Sequence, residues 1–258
     1  MSGEHWSREK VVELLNQCML EQDGTAQAEL MLDMKEILVN KDPQLLPEFL
    51  PKLLELQMYP NASIRRNLAG MLEDIGLKMF THLPEIFDTL RGFLDDEAPA
   101  VTKRALTAGG LLFKKAFTLA AQRGTGPVVS KEMKEIWDRA QQFKDRAVQL
   151  AGKASNDGVH LHAVKLVETL VMLYSAQPGG ANTNPDTIYP STLDPNHKLL
   201  NGLKIANEGK EMFRTLYKQL ELPQAMELPG PVVIVLINAT ASTARQRPWL
   251  FVEALNVL

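Results

Sequence analysis

The chain has a single cysteine, Cys18, so no disulfide can close within it. Its neighbours, "LLNQCMLE", put the thiol on an apolar helix face and not in the cationic surroundings that make a thiol reactive. No segment nears the roughly 20 apolar residues that span a bilayer, and the longest candidate, "PVVIVLINATA" from Pro231, is too short. The opening "MSGEHWSREK" is polar and lacks the apolar region of a secretory leader, so the expected setting is cytosol or nucleus and no membrane partner is expected. There is no excess of positive charge: 28 basic against 31 acidic residues leave a net charge of -3, which gives no global reason to bind nucleic acid directly. Also missing are a phosphate-cradling glycine loop, a CxxC pair, a nucleophile motif and paired carboxylates placed for acid/base work. "TAGGLLF" falls inside a helical pattern, where Gly109 and Gly110 suit close helix packing. Neither catalysis nor a cofactor is expected.

Strand-like alternation is scarce, whereas helical periodicity runs nearly throughout, so the expected class is all-α. "REKVVELLNQCML" gathers Val11, Leu14, Leu15, Cys18 and Met19 on one stripe, and "GTAQAELMLDMKEILVN" supplies a second helix ended by Lys41–Asp42–Pro43. Beyond that point the chain repeats. The segment over 46–78 is echoed over 83–117 and again over 137–174, each a helix, a turn rich in Asn, Asp or Pro, and a second helix opening on a β-branched residue. Helix pairs of this size stack as a HEAT or armadillo-like α-solenoid of antiparallel pairs. The second helices align at Ile64, Val101 and Val159. At about 100° per residue, Val159, Ala163, Leu166, Val167, Leu170 and Tyr174 form an apolar arc, matched by Ile64, Leu68, Met71, Leu72, Ile75 and Met79.

One stretch of the third copy, "SNDGVHLHAVKLVETLV", holds Asp157, His160 and His162, the raw material of a divalent-metal site. Two residues apart on a helix, the histidines point about 200° from each other and cannot share an ion. Asn156 or Asp157 is better taken as a helix N-cap. No metal site is expected.

After Tyr174, "SAQPGGANTNPDTIYPSTLDPNH" has no apolar period, and a mobile loop is expected over 176–197. Helices resume at "LLNGLKIANEGKEMFRTLYKQLE" and "GPVVIVLINATASTAR", and "QRPWLFVEALNVL" opens a further repeat. A solenoid normally ends in a polar cap, so the expectation is one array over 1–258 forming the N-terminal part of a longer scaffold.

Opposite the apolar arcs the second helices carry Arg66, Gly70, Glu73 and Leu77, then Lys103, Thr107 and Lys114, then Leu161, Lys165, Glu168, Thr169 and Met172. In HEAT arrays second helices line the concave side, which makes adjacent columns of these positions. Cations interleaved with Leu and Met suit a protein partner presenting acidic residues around an apolar anchor. A solvated face would carry the same residue types.

Several blocks in order, "VVELLNQ", "ILVNKDPQLLPEFLPKLLELQ", "NDGVHLHAVKLVETLV", "NEGKEMF" and "ARQRPWLFVEAL", resemble the amino-terminal HEAT domain of the symplekin family, from about residue 9 to the end. The stretches 122–131 and 176–195 carry no part of the resemblance. Proteins of this family are scaffold subunits of the machinery that cleaves and polyadenylates messenger RNA precursors. The resemblance implies a nuclear, non-catalytic scaffold that binds other cleavage and polyadenylation subunits and holds an RNA polymerase II C-terminal-domain phosphatase. It places Lys165, in "HAVKLVE", at that contact. Leu161, Met172, Lys103 and Arg66 are the neighbouring candidates for partner binding. The alternatives are an RNA-binding module and a generic HEAT adaptor.

Overall fold

A computed structural model describes the backbone of residues 2–125, 128–175 and 188–255, with side chains from Ser7 onward in those stretches except at position 253. Among the described residues there is no strand, and the helices form an all-α helical solenoid. In chain order they are α1 (Ser2–Leu20), α2 (Gly24–Lys35), α3 (Leu46–Glu55), α4 (Ala62–Lys78), α5 (Leu83–Phe93), α6 (Pro99–Arg123), α7 (Lys131–Gly152), α8 (Asp157–Tyr174), α9 (Gly202–Tyr217), α10 (Gln224–Glu227), α11 (Gly230–Gln246) and α12 (Phe251–Leu255). The chain divides into two compact units, Met1–Gly109 and Gly110–Leu258, with the division inside α6.

The helices start where short polar side chains can satisfy the unpaired amides of a first turn. Asp23 accepts from the N–H groups of Thr25 and Ala26 to open α2, and Asn61 accepts from Ser63 to open α4. Ser130 caps α7 through Met133, Asn156 caps α8 through Val159, and Asn201 caps α9 through Lys204. Asn156, not Asp157, is therefore the cap of α8. The expected second helix does not keep α-geometry to its end: from Glu36 to Lys41 it widens into a π-turn, closed by the Asp42 N–H on the Ile37 carbonyl.

In unit 1, α1 packs on α2, α2 on α4 and α4 on α5. The interior is mainly aliphatic, with Leu38, Leu46, Leu53, Ile64, Leu68, Leu72 and Ile75 all withdrawn from water. Burial of each such side chain contributes about 1.5–3 kcal/mol before the entropy of ordering is counted. The expected arc of α4 is buried up to Ile75; Met79 lies one residue past the helix and is half-buried. Cys18 has no exposed surface, and burial pushes its thiol pKa up, away from the reactive thiolate.

Unit 1 also buries an arginine. Arg65 Nε and Nη2 donate to the two carboxylate oxygens of Asp96 at 2.7 and 2.8 Å, and Nη1 donates to the Tyr59 and Pro60 carbonyls. The turn before α4 is thereby tied to the turn before α6. Hydrogen bonding to Asp96 raises the Arg65 pKa above its ordinary value. Burial works against the Asp96 carboxylate, but the Arg65 hydrogen bond, the Ala98 N–H and the Arg65 charge outweigh it and hold its pKa below the ordinary value.

In unit 2, α8 is the hub, touching α7, α9 and α11. Its expected arc, Val159, Ala163, Leu166, Val167, Leu170 and Tyr174, is buried throughout. The interior here is aromatic: Phe113 and Phe117 of α6 each pack on both Trp137 of α7 and Tyr174 of α8, with ring centroids 5.7–6.1 Å apart. Burial drives the Tyr174 phenol pKa upward, and Gln141 donates to its oxygen at 2.9 Å. Gly110 sits against Leu166, whose Cδ1 would be 2.8 Å from an added Cβ, so this glycine does serve close packing. Lys144 is also buried, with Nζ 2.8 Å from Glu208, 3.2 Å from Asp145 and 5.7 Å from the centre of the Tyr174 ring.

Of the expected loop over 176–197, residues 176–187 lie outside the described residues. The remainder contains a short turn at Pro190–Thr192 and is fastened to the end of α6. His197 accepts at Nδ1 from the N–H groups of Leu199 and Leu200, so its Nε2 carries the hydrogen donated to the Ala121 carbonyl at 3.1 Å. A Cβ at Gly124 would stand 2.1 Å from the same ring, and only glycine leaves it room.

Candidate protein-docking face on the second helices

The side of α8 away from its core arc carries Leu161, Lys165 and Met172, spaced i, i+4 and i+11, which keeps them on one stripe. Leu161 and Met172 are half-buried and Lys165 is exposed. The Lys165 carbonyl accepts from the Thr169 hydroxyl at 3.0 Å, and its ammonium has no ion-pair partner among the described residues. A free cation is thus held on a rigid helix between two apolar side chains that are already partly desolvated.

The two histidines of α8 serve different structural ends. His160 is buried, and its Nε2 faces the Ala151 carbonyl at 3.0 Å and Gln219 Oε1 at 2.9 Å. Both are acceptors, so Nε2 carries the hydrogen. Gln219 also donates to the Ala151 carbonyl, closing a small network that joins the end of α7 to the turn after α9. His162 is exposed and bonds through Nδ1 to the Gly158 carbonyl in its own first turn. No group of three or more His, Cys, Asp or Glu side chains among the described residues is arranged to hold a metal ion.

In unit 1 the corresponding stripe lies on α4 and the start of α6. Arg66 is exposed and Lys103 half-buried, and neither has an ion-pair partner among the described residues. Their neighbours are paired: Arg104 Nη1 lies 2.6 Å from Glu73, and Lys35 Nζ of α2 lies 2.9 Å from Asp74. Successive second helices of unit 1 are therefore clasped by charges, and Arg66 is left over. A cleft of about 240 Å³ opens beside it, bordered by Met31, Lys35, Gly70, Met71 and Arg104.

Sequence reasoning thus found Arg66, Lys103, Leu161, Lys165 and Met172 on outward helix faces. Arg66 and Lys103 fall in unit 1, on α4 and α6, and Leu161, Lys165 and Met172 share one stripe of α8 in unit 2. It missed Arg104, whose guanidinium lies across Gly70 at 3.1 Å from where a Cβ would be. The available signal was a glycine on the face of one second helix where the next second helix offers a long cation. It also missed that of the pair Arg65–Arg66 one arginine turns inward and one outward, as their 100° separation requires.

Compared with known protein families, residues 98–258 match the family described as Symplekin/PTA1 N-terminal. The match takes in Lys103, Leu161, Lys165 and Met172 and leaves Arg66 outside.

Proposed function

Since the chain belongs to the Symplekin/PTA1 N-terminal family, a scaffold family of messenger RNA 3′-end processing, we propose that α8 docks an RNA polymerase II C-terminal-domain phosphatase, with Lys165 central to the contact. Protein partners among the cleavage and polyadenylation factors follow from the family in general terms. The phosphatase and the face are the finer reading. The observation that supports it is the Lys165 ammonium, exposed and without an ion-pair partner among the described residues, between half-buried Leu161 and Met172. Such a stripe gives a partner a charge to neutralise and an apolar surface to cover in one contact. In this reading the phosphatase performs the chemistry, the chain supplies position, and the complex works in the nucleus.

The test is a pull-down of the polymerase-tail phosphatase by wild type, Lys165→Ala and Lys165→Glu at fixed salt. Weaker capture by the alanine variant and loss with glutamate, at unchanged thermal stability, is the expected result. Equal capture by all three, or none by wild type, would remove the phosphatase assignment.

A further inference from the structure

Unit 1 holds a cleft of its own whose lining, Arg104 apart, lies outside the segment matched to the family. The cleft beside Arg66 has an apolar floor made by Ala28, Met31 and Met71, with Leu32 at its edge, and a cationic rim of Arg66, Arg104 and Lys35, of which Arg104 is paired with Glu73 and Lys35 with Asp74. The rim is positive in a chain whose net charge is -3. Its depth depends on Gly70: with no side chain on this turn of α4, the Arg104 guanidinium lies down over the helix and not out into water.

The cations of the rim differ in what they have left to give. Lys35 is engaged by Asp74 at 2.9 Å, while Arg104 spends Nη1 on Glu73 and directs Nη2 and Nε over Gly70. Arg66 has no ion-pair partner among the described residues. Two guanidinium groups with spare donors above a floor containing two methionines match a carboxylate-bearing chain whose aliphatic side chain enters the cleft.

We propose that this cleft is a docking site for an acidic peptide segment of a protein partner, in which an aliphatic anchor residue is flanked by Glu or Asp. The anchor sits on Met31 and Met71, and a flanking carboxylate bridges Arg66 and Arg104. This site goes beyond the phosphatase contact and does not depend on it: the decisive residues are in α2, α4 and the first turns of α6, not in α8.

The experiment uses the full 258-residue chain. Two probes are fluorescent peptides, EELLEE and its neutral counterpart QQLLQQ, followed by anisotropy at low and physiological salt. A third is an oligouridylate of similar length. Methionine methyl NMR reports the location. EELLEE is expected to bind more tightly than QQLLQQ, to weaken as salt rises, and to shift the Met31 and Met71 methyls while leaving Met172 in place. Arg66→Glu is expected to weaken it on the order of tenfold, and Leu32→Ser by less. Both positions are exposed, so neither variant threatens the fold. Lys165→Glu should leave peptide binding unchanged, which separates this site from the phosphatase contact. The proposal is overturned if wild type binds the two peptides equally or not at all, if Lys165→Glu weakens binding as much as Arg66→Glu, or if oligouridylate binds more tightly with the same Arg66 dependence.

Discussion

Each unit buries a cation against carboxylates, Arg65 in unit 1 and Lys144 in unit 2, and they do so differently. In unit 1, Arg65 meets Asp96 in a two-pronged contact, with the exposed Glu97 more distant at 3.6 Å, and the Arg65 and Asp96 side chains are almost fully withdrawn from water, at 8% and 7% exposure. In unit 2, Lys144 is equally buried at 7%, but its partners Glu208 and Asp145 are 32% and 66% exposed, and the ammonium also faces the Tyr174 ring at 5.7 Å. The planar fork of arginine fits one carboxylate and two carbonyls in a fixed geometry, whereas a lysine ammonium is a point charge that accepts looser company. The cost of removing each cation should therefore depend on whether the carboxylate left behind can turn to solvent.

The largest effect that tests this difference is Arg65→Met. It strands Asp96 in a closed turn, and a loss of about 3–5 kcal/mol is expected in denaturant unfolding. Lys144→Met should cost less, about 1–3 kcal/mol, because Glu208 and Asp145 can rehydrate. Equal losses in the two variants would mean that partner exposure does not set the cost.

Acid sharpens the same contrast. The Asp96 pKa is depressed in the folded chain, so its contribution to stability is complete above the unfolded-state value of about 4 and disappears as pH falls through the lower folded value. Thermal unfolding followed from neutral pH downward should show wild type losing stability over that acid range. Asp96→Asn, less stable at neutral pH, should show a shallower decline. A smaller effect belongs to the start of α8, where Asn156→Ala removes the bond from the Val159 N–H at a cost of about 1 kcal/mol. Smallest of all are Lys165→Glu and Arg66→Glu, each expected within about 0.5 kcal/mol of wild type because neither side chain has an ion-pair partner to lose among the described residues. A larger fall in melting temperature for either would show that the charge has a structural role.

Periodicity was sufficient for the apolar arc of α8 and for that of α4 as far as Ile75, because a side chain's direction on a helix follows from its position alone. The same rule put Lys165 and Arg66 outside. It could not say which polar residues go inside, since that depends on partners distant in sequence: Arg65 on Asp96 and Lys144 on Glu208. Nor could it foresee the π-turn of Glu36–Lys41, where "EILVNK" offers three buried apolar residues in a row and no period to mark the change in winding. The Arg66 cleft was legible only as a list of column residues. Its depth comes from a glycine on one helix and an arginine on the next, a pairing that requires the packed structure.

Cys18 gives the chain an internal clock. It is the sole thiol, and it faces inward from α1, so an alkylating reagent modifies it only in the moments when that helix parts from its neighbours. The rate of modification therefore counts those openings without any engineered label. A ligand seated between α2 and α4 should slow the count, and one confined to α8 should leave it unchanged.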